Sequence, residues 1–202
     1  MPLWRADQPL VLASKSASRR ALLEAAGIPI EVHPADIDER AVERAAGPAA
    51  AGGVAKLLAH AKAQAVSAKM PSRLVLGADQ TLVFGGKRFD KPGSLDAARE
   101  QLRALAGNTH ELHTAIAFVR DGALLSEYAR VARMTMRAFG DRFLDAYLDD
   151  AGPAVMASVG AYQVEGLGIH LFESFDADHS TILGLPLLPA LEFLRAEGCV
   201  AN

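Results

Sequence analysis

With one cysteine, Cys199, among its 202 residues, the chain has no second thiol for an internal disulfide, which suits a reducing compartment. Long apolar runs are missing too. Nothing approaches the ~20 residues of a membrane span, and the opening MPLWRADQ has neither the charged start nor the apolar stretch of a secretory leader. The cytoplasm is the expected location, with no membrane partner. Charge of one sign is scarce, since 21 Lys and Arg oppose 24 Asp and Glu for a net charge of −3. That leaves no basic field for a nucleic-acid polymer. Three catalytic or binding motifs are also absent. Gly47 and the Gly52-Gly53 pair do not precede the G-K-[ST] of a phosphate loop. His110-Glu111-Leu112-His113 is not H-E-x-x-H, and histidines three apart on a strand face opposite ways, against a zinc site. No G-x-S-x-G elbow surrounds Ser14, Ser16 or Ser18, against serine-hydrolase chemistry.

What is present is an ordinary globular profile, half hydrophobic and 22% charged, long enough for a sizeable core. No repeat, low-complexity tract or linker divides it, so residues 1–202 read as a single domain. The chain is organised around Leu10 to Gly27, LVLASKSASRRALLEAAG. Four apolar residues suggest a buried strand, a serine-rich turn follows, and Leu22, Leu23 and Ala26 line one face of a helix stopped by Gly27. Arg19-Arg20 in the first helical turn oppose the helix dipole, at up to ~1 kcal/mol each. Serine hydroxyls, free N–H groups and guanidinium groups together suit a bound anion, phosphate first.

Further along, Ile30 to His33 reads as a strand, Pro34 to Arg40 as an acidic turn, and Gly47-Pro48 through Ala68 as a helix. Leu74 to Leu76 begins a strand that Gly77 to Gln80 interrupts and Leu82 to Phe84 resumes. Ser94 is expected to cap a helix from Leu95 to Ala106 that Gly107 closes, and Asp141 to cap another through Asp150. Between them, two long strands flank Asp121-Gly122, a favoured hairpin turn. The last helix runs from Pro186 to about Glu197. Alternating strands and helices followed by a hairpin predict an α/β fold with a mixed, partly antiparallel sheet flanked by helices.

Asp79, at the expected break of a buried strand, must be solvated, hydrogen-bonded or paired with a cation. It can hold a divalent ion or orient a water, or cap the following turn. The acids Asp36, Asp38 and Glu39 gain meaning only if they meet Asp79, because two carboxylates plus phosphate oxygens make a magnesium site. Lys62 and Lys91 are the candidate cations for phosphate.

Taken together, the pattern L-A-S-x-S-x-x-R-R-x-L-L from Leu12, the I-D-E turn, A-x-A-K-A around Lys62, G-A-D-Q, K-P-G and G-L-P-L from Gly184 resembles the Maf family of nucleoside triphosphate pyrophosphatases. The resemblance runs through nearly the whole chain in order. It implies an elongated sheet with two lobes and a cleft, and cleavage of a nucleoside triphosphate to the monophosphate and pyrophosphate with Mg²⁺ or Mn²⁺. It also implies Asp79 as proton acceptor, Asp79 and Glu39 as metal ligands, and Ser14, Arg19, Lys62 and Lys91 on the phosphates. A homodimer is compatible with it. Ala17 stands where the family usually has proline, and Asp90 where glycine is commoner.

Three further positions track the base in this family: Ser18, Gln80 and Glu165. Gln80 and Glu165 are similar to the branch acting on 7-methyl-GTP, while Ser18 matches neither branch. A carboxylate at 165 accepts from both guanine N1–H and N2–H₂, and methylation at N7 strengthens that pair. Uracil and thymine present a donor beside an acceptor, which suits an amide instead. Gln80 is expected to donate to guanine O6, and Arg20 to brace the turn. The rival readings are a dTTP/UTP pyrophosphatase of the same family and a non-catalytic nucleotide-binding regulator of septum formation.

Overall fold

The computed structural model describes residues 2–46 and 53–201. They sort into two compact units, one from Met1–Gln80, Thr114–Arg130 and Asp178–Asn202, the other from Thr81–His113 and Val131–Ala177. Among the described residues the strands are β1 (Leu10–Leu12), β2 (Ile30–Val32), β3 (Val75–Phe84), β4 (Lys87–Phe89), β5 (Thr109–Arg120), β6 (Ala123–Met136) and β7 (Phe172–Asp176). They form one sheet in the order β2-β1-β3-β5-β6-β7, with β4 paired to β3. The helices are α1 (Ala17–Ala25), α2 (Glu39–Ala46), α3 (Gly53–Ser67), α4 (Leu95–Leu105), α5 (Asp141–Ala151), α6 (His179–Ile182) and α7 (Leu187–Ala196). The mixed α/β class expected from the sequence is the one observed.

In the first unit, β1 runs parallel to both β2 and β3. A parallel sheet is covered on both faces, so its strands alternate between two apolar layers. Leu10, Leu12, Leu74, Leu76, Ala78, Ile116 and Phe118 pack with Leu23 of α1 and Ala190 and Leu194 of α7. The alternate residues Val11, Ala13, Val75, Ala115, Ala117 and Val119 pack with Ala55, Ala59 and Ala63 of α3.

The small side chains on α3 let its backbone approach the sheet closely, and Gly77 is the point of closest approach. A Cβ placed there would lie 2.1 Å from the Ala59 carbonyl oxygen and 2.8 Å from the Ala63 nitrogen. This corrects one expectation. The G-A-D-Q stretch does not break a strand, because β3 continues from Val75 through Phe84 and glycine is needed there to admit a helix.

A second correction concerns the acidic turn. It ends in helix α2, whose first residue is Glu39, and Asp38 Oδ1 accepts from Ala41 N at 3.0 Å as its N-terminal cap. The expected helix start at Gly47-Pro48 lies outside the described residues. The hairpin is as expected, with Asp121 and Gly122 at φ 51° and 76°, the two positive values of a type I′ turn. Strands β5 and β6, adjacent in the sheet and joined by that turn, run antiparallel.

In the second unit, Ser94 caps α4 by accepting from Ala97 N at 3.1 Å. Asp141 is not the cap of α5. Gly140 holds that position with no side-chain bond, and Asp141 accepts instead from Arg103 Nε of α4 at 2.9 Å. Residues 152–171 contain three short 3₁₀ turns. Strands β4 and β7 were not expected.

His110 is a buried titratable group of this unit, 1% exposed, with Nε2 sharing a hydrogen bond with Tyr162 Oη at 2.7 Å. Burial lowers its pKa to about 4. The unfolded chain binds this proton below about pH 6.5, whereas the folded chain declines it until about pH 4. Stability is therefore lost as pH falls across that window, by up to about 3 kcal/mol. Melting curves between pH 7 and 4 should show this slope, and His110→Phe should flatten it; an unchanged slope in the variant would assign the acid sensitivity elsewhere.

Candidate active site

The first unit carries most of the polar residues singled out in the sequence. Successive β3 residues face opposite sides, so Asp79 shares the side of Gly77, against α3. Lys62 lies on α3 one residue before Ala63, which touches Gly77. Its Nζ donates to Asp79 Oδ1 at 2.5 Å and pairs with Glu39 Oε1 at 2.7 Å. The glycine contact thus sets the helix where its lysine meets the strand carboxylate, and α2 brings the second acid. Asp79 is 7% exposed. Burial raises its pKa, opposed by the charges of Lys62 and Arg19 and reinforced by Glu39.

On the other side of β3, Arg19 fits into the turn after β1. Its Nε donates to Gly184 O at 2.8 Å, and Nη1 donates to Ser14 Oγ at 3.0 Å and to Ala78 O at 2.8 Å. Burial pulls its pKa below the ordinary arginine value, while Asp79 and Glu39 pull it up. Gly184, at φ +91°, leaves room for the guanidinium, since a Cβ would sit 3.2 Å from two of its nitrogens. This gives the G-L-P-L motif a physical role. Ser16 caps α1 by accepting from Arg19 N at 3.4 Å. Ser14 Oγ accepts from Arg19 and from Ser16 N at 3.3 Å, so its own hydroxyl hydrogen remains to donate. The first N–H groups of α1 have no partner within the helix. These donors are gathered at one turn, beside the residue that precedes Asp79.

Other expectations need revision. Arg20 does not brace the turn; it pairs along the exposed helix surface with Glu24 at 2.8 Å. Gln80 Nε2 faces Thr114 Oγ1 at 2.8 Å, Ile182 O at 3.0 Å and Thr181 O at 3.2 Å. Two backbone carbonyls fix the amide nitrogen on that side. Its two hydrogens serve three acceptors, so the expected donation to guanine O6 is not available, and what Gln80 offers is its carbonyl oxygen. Ser18 sits in the first turn of α1, partly buried.

The second unit holds Lys91 and Glu165. Lys91 is exposed in the loop after β4, next to buried Pro92. Glu165 is exposed in the turn before the 3₁₀ segment Leu167–Leu171. Gly168 in that segment approaches Gln163, where a Cβ would lie 2.5 Å from the carbonyl oxygen.

Thr114 and Thr181 are residues the sequence reading missed. Thr114 Oγ1 donates to Thr181 O at 3.1 Å while accepting from Gln80. Period-two alternation in β5 would have flagged a threonine among apolar neighbours, but nothing local points to its partner. Among the described residues no group of three or more His, Cys, Asp or Glu side chains is placed to hold a metal ion. No described helix is long and apolar enough to cross a membrane.

The sequence profile of the Maf-like protein family matches residues 9–197. A protein from Rhodopseudomonas palustris strain BisB5, named nucleoside triphosphate pyrophosphatase, is 56% identical over 197 residues, 98% of each chain. One from Brucella abortus, named 7-methyl-GTP pyrophosphatase, is 50% identical over 193 residues, covering 95% of this chain and 97% of that one. Among solved structures, a HAM1 protein from Coxiella burnetii aligns with a TM-score of 0.41 and 16% identity, covering 63% of this chain and 72% of that one, a likeness too distant to bear on function. With the family profile spanning almost the full sequence and the arginine turn, the lysine-bearing helix and the buried aspartate in place, the chain belongs to the Maf family.

Proposed function

We propose that this protein hydrolyses a nucleoside triphosphate to the monophosphate and pyrophosphate, with 7-methyl-GTP as its preferred substrate. The observation that carries the reading is the meeting of Asp79, Lys62 and Glu39 beside the Arg19 turn. Four charged side chains from distant parts of the chain converge there, with Asp79 and Lys62 largely buried, and a fold needing only stability gains little from burying such a pair. The activities for which the relatives are named support the same reading.

Asp79 and Glu39 would hold a divalent ion. Two carboxylate oxygens already converging on one cationic nitrogen are the hard donor set that Mg²⁺ or Mn²⁺ takes, with phosphate oxygens and water completing six ligands. When bound, such an ion supplies charge neutralisation on the phosphates and makes water more acidic. Asp79 orients the attacking water and receives its proton. The water oxygen bonds to the α-phosphorus, and pyrophosphate leaves with the electrons of the broken P–O bond. The Ser14 hydroxyl, the first N–H groups of α1, Arg19 and Lys62 stabilise charge on the phosphates. Lys91 adds a further cation for them.

Glu165 reads the base, accepting from N1–H and N2–H₂ of a guanine made cationic by methylation. Glu165→Gln is expected to reduce the preference for 7-methyl-GTP over UTP by about tenfold or more. Paired kcat/KM measurements on the two substrates check it, and an unaltered ratio would remove Glu165 from base recognition. The reading as a whole is tested by screening canonical and N7-methylated triphosphates for pyrophosphate release, with Mg²⁺ or Mn²⁺ and with chelator. Absence of pyrophosphate from every substrate in the presence of metal would overturn it.

A further inference from the structure

The position of Lys62 has a consequence for the order in which this site fills. Its ammonium touches both carboxylates, at 2.5 Å and 2.7 Å, and its side chain is 15% exposed. We propose that Lys62 is an internal counter-ion that holds the Asp79–Glu39 pair until a triphosphate arrives, so that metal and nucleotide load together and metal alone binds poorly. This inference rests on the two-carboxylate metal reading given above.

The geometry and the charge count both lead there. A divalent ion at the usual 2.0–2.1 Å from Asp79 Oδ1 would lie within about 4.6 Å of the ammonium that touches the same oxygen. Like charges that close, in a partly desolvated site, repel strongly. Without metal, Asp79 and Glu39 balance Lys62 and Arg19, the four groups that act on one another there. A divalent ion alone leaves this set with two uncompensated positive charges. A triphosphate supplies the missing anions and gives the ammonium a new partner, so Lys62 can turn to a phosphate oxygen and release the carboxylates. Each ligand therefore raises the affinity of the other, by the same factor.

Binding of Mn²⁺ to the full chain, followed by the electron paramagnetic resonance of free Mn²⁺, tests this without turnover. In the absence of nucleotide, Lys62→Met should bind Mn²⁺ at least about tenfold more tightly than the unaltered protein. Mn²⁺ should then raise the melting temperature of the variant but not of the parent. Adding Asp79→Asn to Lys62→Met should abolish the gained site, which locates it. Equal affinity in parent and variant would overturn the proposal while leaving the metal reading intact. A second measurement needs no variant: with α,β-methylene-GTP present, and metal bound by the analogue itself subtracted, the unaltered protein should take up Mn²⁺ roughly tenfold more tightly than without it. Tight Mn²⁺ binding by the unaltered protein alone would equally overturn the counter-ion role. Failure of Mn²⁺ to bind either protein even with the analogue would sink the metal reading and this inference with it.

Discussion

Asp79→Asn is expected to cut pyrophosphate release by about 10³-fold or more, while the protein melts no lower than its parent. Asparagine keeps the shape and one oxygen of the side chain but accepts no proton and brings no charge to a metal. The activity loss is therefore chemical. Stability behaves differently because burial has raised the aspartate pKa, even against the pull of Lys62 and Arg19. A carboxyl whose pKa is higher folded than unfolded favours the folded state in its protonated form, and that contribution is lost as pH rises through the folded pKa. At neutral pH the ionised group is a net burden on folding. Asparagine removes it, and Lys62 keeps Glu39 as a partner. Pyrophosphate assays beside thermal melts of both proteins check this. Activity within tenfold of the parent would take Asp79 out of the reaction.

Gly77→Ala should have the largest effect on stability, about 3 kcal/mol or more, lowering the melting temperature by roughly 6–12 °C. The new methyl would lie 2.1 Å from the Ala59 carbonyl oxygen, 2.8 Å from the Ala63 nitrogen and 2.9 Å from the Ala63 Cβ. Backbone atoms cannot step aside as a side-chain end can, so α3 must back away from β3. Lys62 moves with it, and the variant should also lose activity beyond its unfolded fraction at the assay temperature. Adding Ala63→Gly removes only the Cβ contact, so it should restore little. A melting temperature within 2 °C of the parent, roughly the shift for under 1 kcal/mol, would show that α3 does not rest on Gly77.

Much of the frame was legible because the relevant signals are local. Asp121-Gly122 announces its own turn, Ser94 its own helix, and Leu10 to Gly27 a strand, a turn and a helix in sequence. The class of fold followed from their order. The course of β3 was not legible, since glycine, aspartate and glutamine are poor strand residues taken singly. What overrides propensity there is contact with a helix that lies earlier in the chain, and with Lys62 on it. Helix α2 was missed although Asp38 sits at its start, because an acidic cluster before a charged helix looks the same as a solvated loop. That Lys62, Glu39 and Asp79 belong together came from family resemblance, since no spacing rule joins positions 39, 62 and 79. The orientation of the Gln80 amide depends on two carbonyls about a hundred residues later, beyond the reach of any local pattern.

Arg19 and the carbonyl of Gly184 are separated by 165 positions. A ribosome delivers the arginine 165 residues before the glycine. Until then the emerging polypeptide carries the serines, both acids and the lysine of the first unit, yet its arginine lacks the anchor that aims it. The aimed guanidinium therefore waits on a stretch made long after it, and a chain terminated just before Gly184 would hold those groups without that anchor.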